Sequence, residues 1–253
     1  MSNEHRRDAV ATAARATATV SAPEGMVLLR SYLSTHHRWA GRYFAERAQD
    51  LERRILADPS SGNPLAQFDL KHRSVVIASV FASVAFVEAA VNEILQDAID
   101  EHMSYLHPIP AESRSLLTDF WRSTQEKNFS IVDKLQLMLT LCRKPQLSAG
   151  AAPLQDAKKA IELRNALMHF KPETLGGGQQ HKFAKSLRSR FTENPLMASS
   201  GNPYFPDKCL GSPCCFWVAD TCDALAVEFF SRLGIQANYR AASFCEPSGA
   251  GPA

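Results

Sequence analysis

Between residues 69 and 106 the chain carries one long helical pattern, unbroken until Pro108 and Pro110. Its middle, residues 75–87, is almost wholly apolar or small, with Lys71 and Arg73 before it and Glu88, Asn92 and Glu93 after it. A helix that is apolar on most sides must be surrounded by other elements, so the rest of the chain has to supply them. At 1.5 Å per residue the apolar stretch is too short to cross about 30 Å of hydrocarbon. The reading is a buried central helix, with no membrane span.

The remaining segments repeat the helical pattern. Tyr32, Trp39, Tyr43, Phe44, Leu51 and Ile55 recur at helical spacing within residues 24–57, and the Pro/Ser/Gly/Asn-rich stretch 58–64 ends that helix. Further helices are predicted over 111–123, 131–142, 153–170 and 215–233, with a short basic one over 182–191. No run reads as a strand. The fold class is therefore all-α: a helical bundle over 23–173, built on the long central helix, then an irregular extension over 174–245 whose last helix packs on the bundle. Residues 1–22, rich in Ala, Thr and Arg, and 246–253, rich in Gly, Pro and Ser, read as disordered tails.

A formal net charge of +2 across 253 residues argues against a large single-sign field, though a local basic patch is compatible with it. Six cysteines are present, five of them after residue 208, and none forms a Cys-x-x-Cys pair. With no secretory signal pattern, they read as free thiols in a reducing cytoplasm. A metal site from Cys209, Cys214, Cys215 and Cys222 is the alternative, but adjacent cysteines suit tetrahedral ligation poorly. His36, His37, His72, His102, His107 and His181 show no metal-ligand spacing, so neither metal nor cofactor is expected.

The chemistry concentrates at the end of the helix predicted over 153–170, in Arg164-Asn165-Ala166-Leu167-Met168-His169. This hexad sets a permanent cation, an amide and a titratable imidazole within two helical turns. Such a set suits chemistry on a phosphodiester, where one group stabilises developing negative charge and another moves a proton. At about 100° per residue, Ala160, Leu163, Leu167 and Phe170 form the face that docks into the core. Ile161 and Met168 make a second apolar strip, flanked by Arg164 on one side and by Asn165 and His169 on the other. A helix apolar on two sides needs two partners. If the second is another copy of the chain, a two-fold axis brings two Arg and two His side chains around one groove. Cations and His near a helix C-terminus also occur for purely local reasons, because they complement the dipole and bond the last carbonyls.

Arg164, Asn165 and His169, followed by Phe170, resemble the Arg-polar-x-x-x-His signature of the HEPN superfamily. Residues 85–93, Ala-Phe-Val-Glu-Ala-Ala-Val-Asn-Glu, are similar to the acidic, amide-bearing core helix of many bacterial members. The resemblance implies a dimerising all-α domain and, in active members, a metal-independent endoribonuclease with a composite site at the dimer interface, often a toxin or antiphage effector. Other members bind or scaffold without catalysis, so an inactive RNA-, nucleotide- or protein-binding module is the alternative. An unrelated helical scaffold is a third reading. One subgroup carries, two residues beyond the His, a Tyr that an antitoxin modifies; here Lys171 stands there. On this reading His169 is general base or acid, Arg164 clamps the phosphate, and Asn165 orients the phosphate or the partner imidazole. Glu88 and Asn92, four residues apart on one helix face, would orient Arg164 or line the groove. Lys171, Lys182, Lys185, Arg188 and Arg190 would follow an RNA backbone. The expected partners are RNA, a second copy, and an antitoxin or regulatory protein.

Overall fold

The computed structural model describes residues 30–58, 69–124, 129–172 and 182–237; the predicted tails, residues 24–29 and Cys245 lie outside them. The described residues are helical and contain no strand. Helices α1 (Ser34–Ala57), α2 (Leu70–Ile99), α3 (Met103–Leu106), α4 (Ala111–Thr124), α5 (Ile131–Leu141), α6 (Leu154–Met168), α7 (Lys182–Leu187) and α8 (Ser212–Leu233) follow in order. A 3₁₀ turn at Pro195–Met197 and a π turn at Tyr204–Lys208 sit between α7 and α8.

Helix α2 is the axis, and α1, α4, α5, α6 and α8 all touch it. It starts where Asp69 Oδ1 accepts the His72 backbone N–H at 2.7 Å, an N-cap that satisfies one of the four open donors of the first turn. Val76, Val80, Val84, Phe86, Val87, Val91, Ile94 and Leu95 are buried along it. As a 30-residue helix it holds an 18-residue window of mean hydropathy 2.1. By length and composition that is enough to cross a membrane, more than the predicted apolar stretch suggested. Half of that window is buried inside the bundle.

Helix α1 lies close against α2 because its inner face is small: Gly41, Ala45 and Ala48 are buried there. A Cβ on Gly41 would run into the Ser83 hydroxyl, and Ser79 Oγ donates to the Gly41 carbonyl at 2.8 Å. Helix α8 closes the core with Cys214, Cys215, Val218, Cys222, Leu225, Phe229 and Phe230. Two carboxylates, half-buried Glu93 and buried Glu52, cap two of these helices from their neighbours. Glu93 on α2 accepts the backbone N–H of Ser34 at 2.8 Å and its hydroxyl at 2.6 Å, fixing the start of α1. Glu52 on α1 accepts both the N–H and the hydroxyl of Ser212 at the start of α8, and His72 Nε2 lies 2.8 Å from it.

The first of these caps explains one departure from the sequence reading. The first helix begins at Ser34, not near residue 24, since Glu93 takes its first donors. Residues 30–33 instead turn back, and Arg30 and Tyr32 reach Asp97. The central helix also ends earlier than predicted, at Ile99. Glu101 takes φ 51°, and the His102 N–H reaches back to the Asp97 carbonyl at 2.9 Å. Tyr105 and Leu106 of α3 are nonetheless buried, so the apolar pattern carries on across the break.

Candidate functional site

Helix α6 docks through Leu154, Ala157, Ala160 and Leu163, which are buried. Asp156 lies in its first turn, where a carboxylate favours the dipole. The face predicted to continue through Leu167 and Phe170 holds at Leu167, which is half-buried and packs against the core, and fails at Phe170, which is 46% exposed. The helix ends at Met168, so Phe170 lies beyond its periodicity and meets Phe205 at a ring-centroid distance of 6.2 Å. Of the second strip, Ile161 is half-buried and Met168 is 51% exposed.

Within the hexad the Arg and the His have different surroundings. Arg164 points back to α2, where its Nη2 donates to Glu88 Oε2 at 3.3 Å; its Nε is buried and finds no partner among the described residues. His169 is the C-cap of α6. Its backbone N–H bonds the Asn165 carbonyl at 3.0 Å, and its imidazole is exposed, with no hydrogen-bond partner among the described residues. Asn165 is exposed one turn earlier. Five helical residues rotate by about 140°, so Arg164 and His169 lie on different sides of α6. One protomer therefore presents a pinned cation and, on another side, a free imidazole.

Glu88 starts a polar row on α2, spaced by four residues. Asn92 Oδ1 accepts from Lys134 Nζ at 2.9 Å, and Lys134 is buried, its ammonium 5.1 Å from the Trp121 ring centroid. Trp121 Nε1 donates to Gln96 at 3.4 Å, and Gln96 Nε2 to Asp100 at 3.0 Å. A buried ammonium is costly unless paired, and here an amide oxygen and an aromatic face compensate it. The sequence reading missed Lys134. Its signal was a lysine on the stripe Ile131, Leu135, Met138, all of them buried.

Toward its N-terminus, α2 shows one uncovered line. Leu70, Ser74, Ile77, Phe81, Ala85, Glu88 and Asn92 fall within an arc of about 80°, and every one is exposed or half-buried. The line is apolar in its middle and reaches Arg164 at Glu88.

The two arginines of the basic set near α7 are engaged within the fold. Arg190 pairs with Asp156 of α6. Arg188 lies 3.5 Å from Glu193 and 4.6 Å above the Tyr204 ring. Lys185 and Lys171 are exposed. Lys182 opens α7, and its side chain lies outside the described residues.

Among the described residues no three His, Cys, Asp or Glu converge as a metal site. Cys142, Cys209, Cys214, Cys215 and Cys222 are free and buried. Burial pushes the Cys142 thiol up to about 11 and those of Cys215 and Cys222 to about 12, which keeps them protonated and poorly nucleophilic. Comparison of the chain with protein-family models, with curated proteins and with solved structures returned no match.

Proposed function

We propose that this chain is a metal-independent endoribonuclease of the HEPN type, a toxin or defence effector, whose site is completed by a second copy. The observation that carries this reading is the asymmetry of the hexad. A guanidinium is anchored to the central helix through Glu88, while an imidazole stands free at the end of the same helix. Exposed Met168 precedes His169, the uncovered line of α2 reaches Arg164 at Glu88, and both supply apolar surface for a two-fold contact.

In that assembly one His169 imidazole takes the proton of the RNA 2′-hydroxyl, whose oxygen bonds to phosphorus as the P–O5′ bond breaks. The imidazole of the second copy protonates the departing 5′-oxygen. Arg164 stabilises charge on the phosphorane-like transition state, Asn165 orients the phosphate, and Glu88 positions Arg164. The products are a 2′,3′-cyclic phosphate and a 5′-hydroxyl. A cytoplasmic site of action accords with five buried thiols.

The test is cleavage of RNA by purified protein in EDTA. His169→Ala and Arg164→Ala should each lower the rate by about 10²–10⁴-fold while the dimer persists in light scattering. Cutting that needs added metal, or that survives both substitutions, refutes the mechanism.

The Arg164–Glu88 pair also favours a second reading. A guanidinium already neutralised by a carboxylate and only 19% exposed suits a module that binds RNA, a nucleotide or a protein without turnover. That reading expects binding with no cleavage, and no effect of His169→Ala on growth arrest.

A further inference from the structure

A cleft of about 560 Å³ opens between α1 and the first turns of α2, away from the hexad. Tyr43, Phe44, Leu51 and Val75 wall it, and Arg54 and Lys71 stand at it. Arg47 and Asp50 also reach the cleft, but they pair with each other at 3.8 Å, and Asp50 binds Arg53 at 2.7 Å. Arg47 also lies over the Tyr43 ring at 5.3 Å and Trp39 stacks on it at 4.8 Å, so Phe44 is the aromatic wall left to a ligand. Arg54 and Lys71 are exposed and make no ion pair or hydrogen bond among the described residues. The cleft thus offers aromatic and aliphatic walls with two uncompensated cations. Its size suits one nucleotide, since ligand sites commonly span about 300–1,000 Å³.

Its position adds a direction. Leu70 and Ser74, which line the cleft, belong to the same uncovered arc of α2 as Glu88. Fourteen residues separate Ser74 from Glu88, about 21 Å along the helix axis. A strand lying along that side of α2 therefore passes from the cleft to Arg164 without turning around the bundle.

We infer that this cleft is a subsite for single-stranded RNA, taking one unstacked base against Phe44 and the aliphatic wall and flanking phosphates on Arg54 and Lys71. The inference rests on the reading of RNA as the ligand and extends it to a second point of contact. Base-on-aromatic stacking tolerates any sequence because every base has a π-face, and the cations track the backbone. The subsite supplies affinity and direction for the strand, and no catalytic group.

The test measures binding of the full-length chain to a fluorescein-labelled 2′-O-methyl oligonucleotide of about twelve residues, which has no 2′-hydroxyl to attack. Fluorescence anisotropy of the wild type is compared with Arg54→Glu/Lys71→Glu. A second double variant, Arg122→Glu/Lys144→Glu, makes the same change of net charge at exposed positions on α4 and after α5. The cleft variant should bind at least tenfold more weakly, and its slope of log K against log salt should fall by about 1.4, two phosphate contacts at about 0.7 each. The charge-matched variant should lose much less. No binding by wild type, equal binding by the cleft variant, or equal losses in both variants would overturn the subsite. Because the probe is uncleavable, a chain that proves catalytically silent leaves this result intact. Binding of a protein partner in place of RNA appears as the first of these outcomes.

Discussion

Helices α8 and α6 both pack on α2, and they end in opposite ways. The last turn of α8 is sealed. Gly234 takes φ 75°, its N–H reaches the Ser231 carbonyl, and the Ile235 N–H reaches Phe230 at 2.9 Å while the Ile235 side chain is buried. This is a Schellman-type stop with its apolar contact. The last turn of α6 ends without glycine, in His169 at φ −108°, and Asn165, Met168, His169 and Phe170 are all exposed. One terminus spends its residues on closing the core, and the other leaves an imidazole, an amide and two large apolar side chains in the open. The difference leaves the end of α6 as the one of the two termini with polar and apolar side chains open to a partner.

The contrast can be broken in stages. The largest expected effect is at the start of α8, the helix whose other end is sealed. Glu52→Ala strands the Ser212 N–H and hydroxyl and leaves His72 without its partner in the core. It should destabilise the fold by about 3 kcal/mol, read from urea unfolding; a loss under about 1 kcal/mol would show that this cap is ornamental. Next, Met168→Lys at the open end should leave the protomer's unfolding midpoint unchanged while weakening self-association at least tenfold in sedimentation experiments. If the protomer itself loses stability, Met168 serves the core and the comparison fails. Gly234→Ala should then cost about 1 kcal/mol, because only glycine takes a positive φ without strain. RNA cleavage at saturating stability should be unaffected by it.

The smallest effect is a slope. Burial, outweighing the bonds from Ser34, raises the pKa of Glu93 above its ordinary value. The folded chain therefore holds that proton to higher pH than the unfolded chain does. The associated stability is complete below the usual carboxylate range and is lost as pH rises through the raised value. Glu93→Gln mimics the protonated form, so its stability relative to wild type should improve as pH rises from the usual carboxylate range through that raised value. A relative stability that falls over that range would reverse the assignment.

Much of the bundle was legible because helices announce themselves by period. Residues 111–123 were read as a helix, and α4 is Ala111–Thr124; residues 131–142 were read, and α5 is Ile131–Leu141. What stayed hidden depended on partners distant in sequence. The break after Ile99 was masked because Met103, Tyr105 and Leu106 keep the apolar pattern going. The start of α1 was hidden because Glu93, which sets it, comes 59 residues later. At the candidate site, the hexad's place at a helix end and the shared face of Glu88 and Asn92 could be read directly. The roles of Lys134 and Arg190 could not, since Asn92 and Asp156 engage them across the fold. Phe170 was placed inside because periodicity was extended two residues past the point where the helix stops.

The cap that Glu52 places on α8 has a consequence for how the chain is made. Its two halves are 160 residues apart. At a synthesis rate of about 5–20 residues per second, Glu52 leaves the ribosome roughly 8–32 s before Ser212 follows. Throughout that interval an acidic group destined for the interior has His72 within reach but lacks the two Ser212 donors. The nascent bundle can gather its early helices, but it closes only after α8 has emerged.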